Sequence, residues 1–333
     1  MPTLQIRERD IEILRAVHQF RVLKSQDHLQ RLFGGSDRIP RRLDQLSGAG
    51  YLYRFKRPHI RSQYYYGLGN QGATLLSDRL GWPRTRVNWR LKNQRLKDKH
   101  LDHTFMIADV MIAVELAAQE LDGVRFISPE EVFTRSGSPQ SAKTWFTQDR
   151  FHQGEKRFKV SAFIKPPGIV GHEATIYGDW IFGLEFDGER GKTQRYFMLE
   201  ADRGGMPVDT NNFNRRSIVQ KMFVYLECGK RKKTTNRSTR QEKHSSTIFE
   251  ELYGIPNIRT LFVIDPTEGG EGEKRIQTCI DTCKKITNGR GSKQFLFALA
   301  SWPESPTLLT DFLLDGTGSS MSLLPKVSEP VAS

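Results

Sequence analysis

Apolar positions recur at helical spacing over the first eighty residues and give way to longer apolar runs beyond residue 100. Ile6, Ile11, Ile13, Leu14 and Val17 predict a first helix over 6–20, with Thr3 as its cap. A short second helix is expected over 25–33, capped by Ser25 and stopped by Gly34-Gly35. The third, over 37–46, places Ile39, Leu43 and Leu46 on one face and leaves Arg38, Arg41, Arg42 and Gln45 elsewhere on its surface. Pro40 falls within the first turn, where no intrahelical donor is lost. Two β-prone runs, 51–57 and 62–68, flank a turn containing Pro58 and predict a hairpin. A fourth helix, capped by Asn70, runs to Leu80 and breaks at Gly81-Trp82-Pro83. Three helices followed by a basic hairpin describe a winged helix-turn-helix.

Past residue 100 the pattern changes. Residues 101–121 are apolar nearly all round and predict a helix buried in a second domain. Residues 124–165 give no clear period. Two strand-like runs follow, 178–186 and 194–202, joined by a polar turn with two glycines, which predicts an antiparallel hairpin. A helix over 213–227, a strand over 259–265, a helix over 273–286 and a strand over 294–299 complete a mixed sheet flanked by helices. The stretch 229–246 is too polar to bury anything and is expected to be mobile, and the tail 316–333 to be disordered. The expected organisation is therefore α+β: a winged-helix domain at 1–82, a basic linker at 83–100, and an α/β mixed-sheet domain at 101–315.

Charge sharpens this division. Residues 1–100 carry 21 Lys and Arg against 8 Asp and Glu, a net of +13 that equals the net charge of the whole chain, so the remainder is neutral. A local positive field of this kind suits a polyanion, because each neutralised phosphate releases condensed counterions. The expected partner is double-stranded DNA. Arg38, Arg41, Arg42 and Gln45 would line the recognition helix, and Arg54, Lys56, Arg57 and Arg61 on the wing would hold phosphates or the minor groove. The run 84–100 reads equally as a solvated connector or as further phosphate contact. No apolar run reaches the roughly 18 to 20 residues of a membrane span, and the first residues lack a signal pattern, so a cytoplasmic protein without membrane contact is expected. Cys228, Cys279 and Cys283 are too few for a disulfide framework, and neither Cys279/Cys283 nor His100/His103 completes a metal set.

The candidate chemistry is acidic. Asp179 opens the first strand of the 178–202 hairpin, and Glu200 and Asp202 end the second, where positions i and i+2 share a face. Three oxygen donors at a sheet edge suit a hard cation, Mg²⁺ or Mn²⁺, that would polarise a phosphodiester; equally, acids at strand ends are often only solvated. The order helix, strand with Asp, strand with Glu, helix, strand resembles the PD-(D/E)xK nuclease superfamily, which implies a restriction-endonuclease-like fold. Where that superfamily carries a lysine two residues after the glutamate, this chain has Asp202. Lys221, with Tyr225 one turn later, is the candidate replacement, giving a catalytic set of Asp179, Glu200, Asp202 and Lys221.

The whole chain also resembles the replication-relaxation family of bacterial plasmids and other mobile elements. The likeness rests on 8–15, on the helix start at His103, on Phe197-Met-Leu-Glu-Ala-Asp-Arg-Gly204, on Lys221 to Tyr225 and on 259–263. It departs at Gly178-Asp179, which lacks the usual proline before the aspartate. The resemblance implies a DNA-binding protein of a plasmid or mobile element, acting in replication or DNA relaxation and mobilisation alongside replication or relaxosome proteins. Two alternatives stand beside it: an active metal-dependent nickase or endonuclease, and a winged-helix transcriptional regulator.

Overall fold

The computed structural model describes residues 4–34, 38–56, 62–81, 83–84, 87, 96, 98–147, 158–188, 191–210, 216–235, 242–265 and 271–324. The chain is α+β and folds as two compact units, Met1–Leu116 with Thr147–Glu155, and Ala117–Phe146 with Lys156–Ser333. No described helix is long and apolar enough to cross a membrane.

The first unit opens with α1 (Glu8–Phe20), whose Ile13, Leu14 and Val17 are fully buried. Its cap is Arg7, whose N–H donates to the Asp10 carboxylate at 2.8 Å; Thr3, the expected cap, lies outside the described residues. Arg21, at φ +71°, ends the helix and turns the chain into β1 (Val22–Lys24), a strand absent from the sequence reading. The expected second helix is a π-helical turn over Ser25–Gln30 running into α2 (Arg31–Phe33), and its cap position is Lys24, not Ser25. After α3 (Arg38–Gly48) come β2 (Leu52–Arg54), β3 (Tyr65–Leu68) and α4 (Asn70–Leu80), the last capped by Gly69 instead of Asn70. β1 pairs with β3, so the predicted hairpin is a three-stranded antiparallel sheet in the order β1-β3-β2.

The sequence places the long helix α5 (Asp98–Glu120) in the second domain, but all of it up to Leu116 belongs to this unit. Leu101 and Phe105 join Val22 and Phe55 in one apolar cluster, edged by Tyr53 and Tyr65. A polar lock fixes it there. His28, fully buried, accepts the Lys24 N–H on Nδ1 at 3.0 Å, so its Nε2 carries the proton it donates to Asp109 at 2.6 Å.

The second unit is built on a seven-stranded mixed sheet. The chain runs β4 (Val124–Ile127), α6 (Pro129–Thr134), α7 (Gln140–Thr147), β5 (Lys159–Ile164), β6 (His172–Tyr177), β7 (Trp180–Gly188) and β8 (Gly191–Asp202). It continues through α8 (Ile218–Gly229), β9 (Lys232–Thr235), β10 (Glu242–Ser246), α9 (Ile248–Tyr253), β11 (Ile258–Ile264), α10 (Gly272–Ile286), β12 (Phe295–Leu299), β13 (Leu313–Asp315) and β14 (Ser320–Met321). The sheet order is β14-β13-β12-β11-β8-β7-β4, with β8, β11 and β12 parallel and their neighbours antiparallel. β5 and β6 form a separate ribbon whose inner residues Val160, Ala162 and Ile164 are buried and which packs on α8.

Two polar stretches hold strands that their composition does not suggest, and for the tail this corrects the expected disorder as far as Leu324. The polar stretch 229–246 holds the paired strands β9 and β10 around residues that lie outside the description. The tail stays ordered past Gly316: β14 closes the sheet edge, Leu323 and Leu324 are buried, and Arg195 donates to the Leu323 carbonyl at 2.8 Å. Sequence polarity underestimated both, since strand pairing satisfies backbone groups whatever the side chains.

Candidate functional site

The acidic centre lies where β8 ends. Parallel pairing sets Phe262 opposite Glu200 and Ile264 opposite Asp202, so both carboxylates leave the same face of a strand buried in mid-sheet. Antiparallel pairing with β7 brings Asp179 to the same level: its N–H donates to the Leu199 carbonyl at 3.0 Å, and its carboxylate accepts the Ala201 N–H at 2.8 Å. The hairpin thus brings Asp179 beside Glu200. Gly178 is shaped by the same packing. A Cβ there would sit 2.3 Å from Met198 Sδ and 3.2 Å from Tyr225 Oη, and its N–H is bonded to the Phe158 carbonyl at 3.2 Å. Proline would meet the first obstacle and lose the second bond, which accounts for its absence before Asp179.

α8 supplies the basic partner. Ser217 caps it by accepting the Gln220 N–H, and Lys221 and Tyr225, one turn apart, face the sheet together. Lys221 Nζ donates to Glu200 Oε2 at 2.5 Å, and the Tyr225 hydroxyl donates to Glu200 Oε1. Glu200 is 1% exposed, and burial together with the charge of Asp179 pushes its carboxyl up to about 7 against the pull of Lys221 and Tyr225. Burial alone would lower Lys221, but Glu200 and Asp179 outweigh it and hold the ammonium above its ordinary range. Tyr225 is raised well above its usual value by burial and by Glu200, so it stays a hydrogen-bond donor.

Asp202 is engaged separately. Arg275, on α10, donates from Nε to Asp202 Oδ2 at 2.6 Å and from its Nη2 to the Met206 carbonyl at 2.5 Å, while the Gly204 N–H reaches Asp202 Oδ1 at 3.1 Å. Arg275 is a site residue the sequence reading missed, because 73 positions separate it from Asp202 and no motif joins them. Each of the three carboxylates is therefore already matched by a cation or an N–H. Mg²⁺ needs about six oxygen ligands near 2.0–2.1 Å, several of them water. At a carboxylate 1% exposed, with an ammonium in contact, this donor set as placed does not fit such an ion. Among the described residues no group of three or more His, Cys, Asp and Glu converges to hold a metal. The three cysteines are buried free thiols.

The basic candidates of the first unit divide. Arg38 and Arg41 are exposed on α3, and Lys56 is exposed beyond β2. Arg42 is not available in the same way: it donates to Asp10 from Nε at 2.8 Å and Nη2 at 2.5 Å, to the Gln5 carbonyl at 2.6 Å and to Gln45 at 3.0 Å. Gln45 is thereby held as well. Arg54 bonds Asp44 on α3 at 2.8 Å and lies over the Tyr64 ring, so it ties the sheet to the helix. Arg57 and Arg61 lie outside the described residues, as does most of the run 84–100.

Fold and site together define an α+β protein of two units whose second unit carries a buried Glu-Lys-Tyr centre on a mixed sheet. The chain belongs to the replication-relaxation family, whose profile matches residues 14–240, more than half its length. Searches of curated proteins and of solved structures found no match.

Proposed function

We propose that this is a DNA-binding protein of a plasmid or other mobile element, acting in its replication or relaxation, and that its first unit is a winged helix reading duplex DNA through α3. The observation that carries this is the surface of α3. Ile39, Leu43 and Leu46 are buried while Arg38 and Arg41 are exposed, on a helix backed by a three-stranded antiparallel sheet in a segment of net charge +13. Membership of the replication-relaxation family supports the role. The test is fluorescence anisotropy on duplex DNA from the native locus over a salt series. Removing Arg38 and Arg41 together should weaken binding and lower the log–log salt slope by about 2. An unchanged slope refutes α3 as the phosphate-contacting helix.

A second reading is that the second unit has a restriction-endonuclease-like fold and cleaves DNA. Within that unit the order β7-β8-α8-β11, with Asp179 before β7 and Glu200 on β8, favours the fold. Cleavage predicts Mg²⁺- or Mn²⁺-dependent nicking of supercoiled plasmid that Glu200→Gln abolishes. Band shifts without nicking leave the DNA-binding role alone.

A further inference from the structure

We propose that Lys221 is the resident cation of the acidic centre: its ammonium takes the place against Glu200 that a divalent ion would need, and keeps such an ion out. The inference concerns the second unit alone and stands whether or not the first unit reads DNA. It predicts no metal-dependent cleavage by the wild-type chain.

The argument begins with occupancy. Lys221 Nζ donates to Glu200 Oε2 in a charge-assisted bond, and the other Glu200 oxygen takes the Tyr225 hydroxyl. Asp179 and Asp202 both act on the same ammonium through their charge. The lysine is thus in contact with Glu200 and within the field of the two other carboxylates. An ammonium and a divalent ion cannot share that place, because they repel at a few ångström in a poorly solvated site. Access tells the same way. Glu200 is 1% exposed and the Lys221 side chain 17%, so the carboxylate meets little of the water that Mg²⁺ keeps in its coordination shell.

The lysine is also held in place. It sits on the first turns of α8, whose start is fixed by the Ser217 cap and whose Ile218, Val219 and Met222 are fully packed. Tyr225, one turn on, pins Glu200 from the other side, so the carboxylate cannot swing away from the ammonium to meet an incoming ion. Arg275 does the same for Asp202. The second unit therefore supplies its own counter-charges, two cations from two helices, where a metal-dependent enzyme would import them.

The experiment is a Mn²⁺ titration of the full chain at pH 8, with free Mn²⁺ read from its electron paramagnetic resonance signal. Wild type and Glu200→Gln should give the same curve up to about 1 mM, the range of weak cation sites. Lys221→Met removes the ammonium at nearly constant volume and should create one site, tighter by about a hundredfold or more, that disappears again in Lys221→Met/Glu200→Gln. Melting read by circular dichroism gives a second readout: Mn²⁺ should raise the midpoint of Lys221→Met and leave wild type unmoved. A wild-type site lost on Glu200→Gln overturns the proposal, and this comparison holds even if the lysine variant does not fold. A folded Lys221→Met that gains no site overturns it as well. Loss of DNA binding by the arginine variants of α3 would leave all these curves unchanged, so the two readings fail separately.

Discussion

Replacing Arg42 by alanine strips the partner from a carboxylate that the fold has buried. Asp10 is 2% exposed and accepts two bonds from Arg42, at 2.8 and 2.5 Å, besides one from the Arg7 N–H at 2.8 Å. Burial by itself would raise the Asp10 carboxyl; the bonds from Arg42 and the Arg7 N–H outweigh it and hold the group below its ordinary value. Its contribution is therefore present above the unfolded-state value near 3.8 and is lost as pH falls through the lower folded-state value. Breaking a buried pair from one side costs about 3–5 kcal/mol. The Arg42 side chain is 20% exposed and the Arg7 bond survives, so the low end applies, about 3 kcal/mol. Arg41, exposed on the same helix, should change stability by no more than about 0.5 kcal/mol on replacement by alanine. The assay is hydrogen exchange by mass spectrometry on peptides from α1 and α3, paired with DNA anisotropy. Arg42→Ala should lose protection in both helices, while Arg41→Ala should keep protection and lose DNA affinity. If Arg42→Ala retained full protection and lost affinity as Arg41→Ala does, the assignment of Arg42 to the fold instead of to DNA would be wrong.

Two further outcomes follow from the acidic centre. Gly178→Ala places a methyl 2.3 Å from Met198 Sδ, on a side chain with no exposed surface, and should cost about 1–3 kcal/mol, read as a lowered melting midpoint; an unchanged midpoint contradicts the packing described. Glu200, raised from 4.5 to about 7, contributes stability that is fully present below 4.5 and is lost as pH rises through 7, so Glu200→Gln should flatten the pH dependence of unfolding between those values. Parallel curves for wild type and variant would show that Glu200 does not titrate there.

Much of the chain could be read from its local pattern. The amphipathic spacing of α3, the glycine-bounded hairpin of β7 and β8, and the i, i+2 pairing of Glu200 with Asp202 all depend on near neighbours. Lys221 and Tyr225 could be paired because i and i+4 share a helix face. The family was legible from short segments spread along the chain, and the profile over 14–240 confirms it.

What the local pattern could not contain was which partner each charge would find. Arg42 looked like a DNA contact because its neighbours on α3 are basic, yet its partner Asp10 lies on α1, 32 residues away. Arg275 and Asp202 meet across 73 residues, and His28 and Asp109 across 81. β1 is three residues long and exists because β3 offers it a partner, and α5, apolar all round, showed no preferred face until the cluster of Val22 and Phe55 chose one. Composition and periodicity act through adjacent residues along the chain, so the sequence by itself determined the strongly periodic helices, the β7–β8 hairpin, the charged front and the family. The pairing of ions and the choice of a helix face act through space, and only the tertiary structure could decide that the acidic centre would be answered by a lysine of its own.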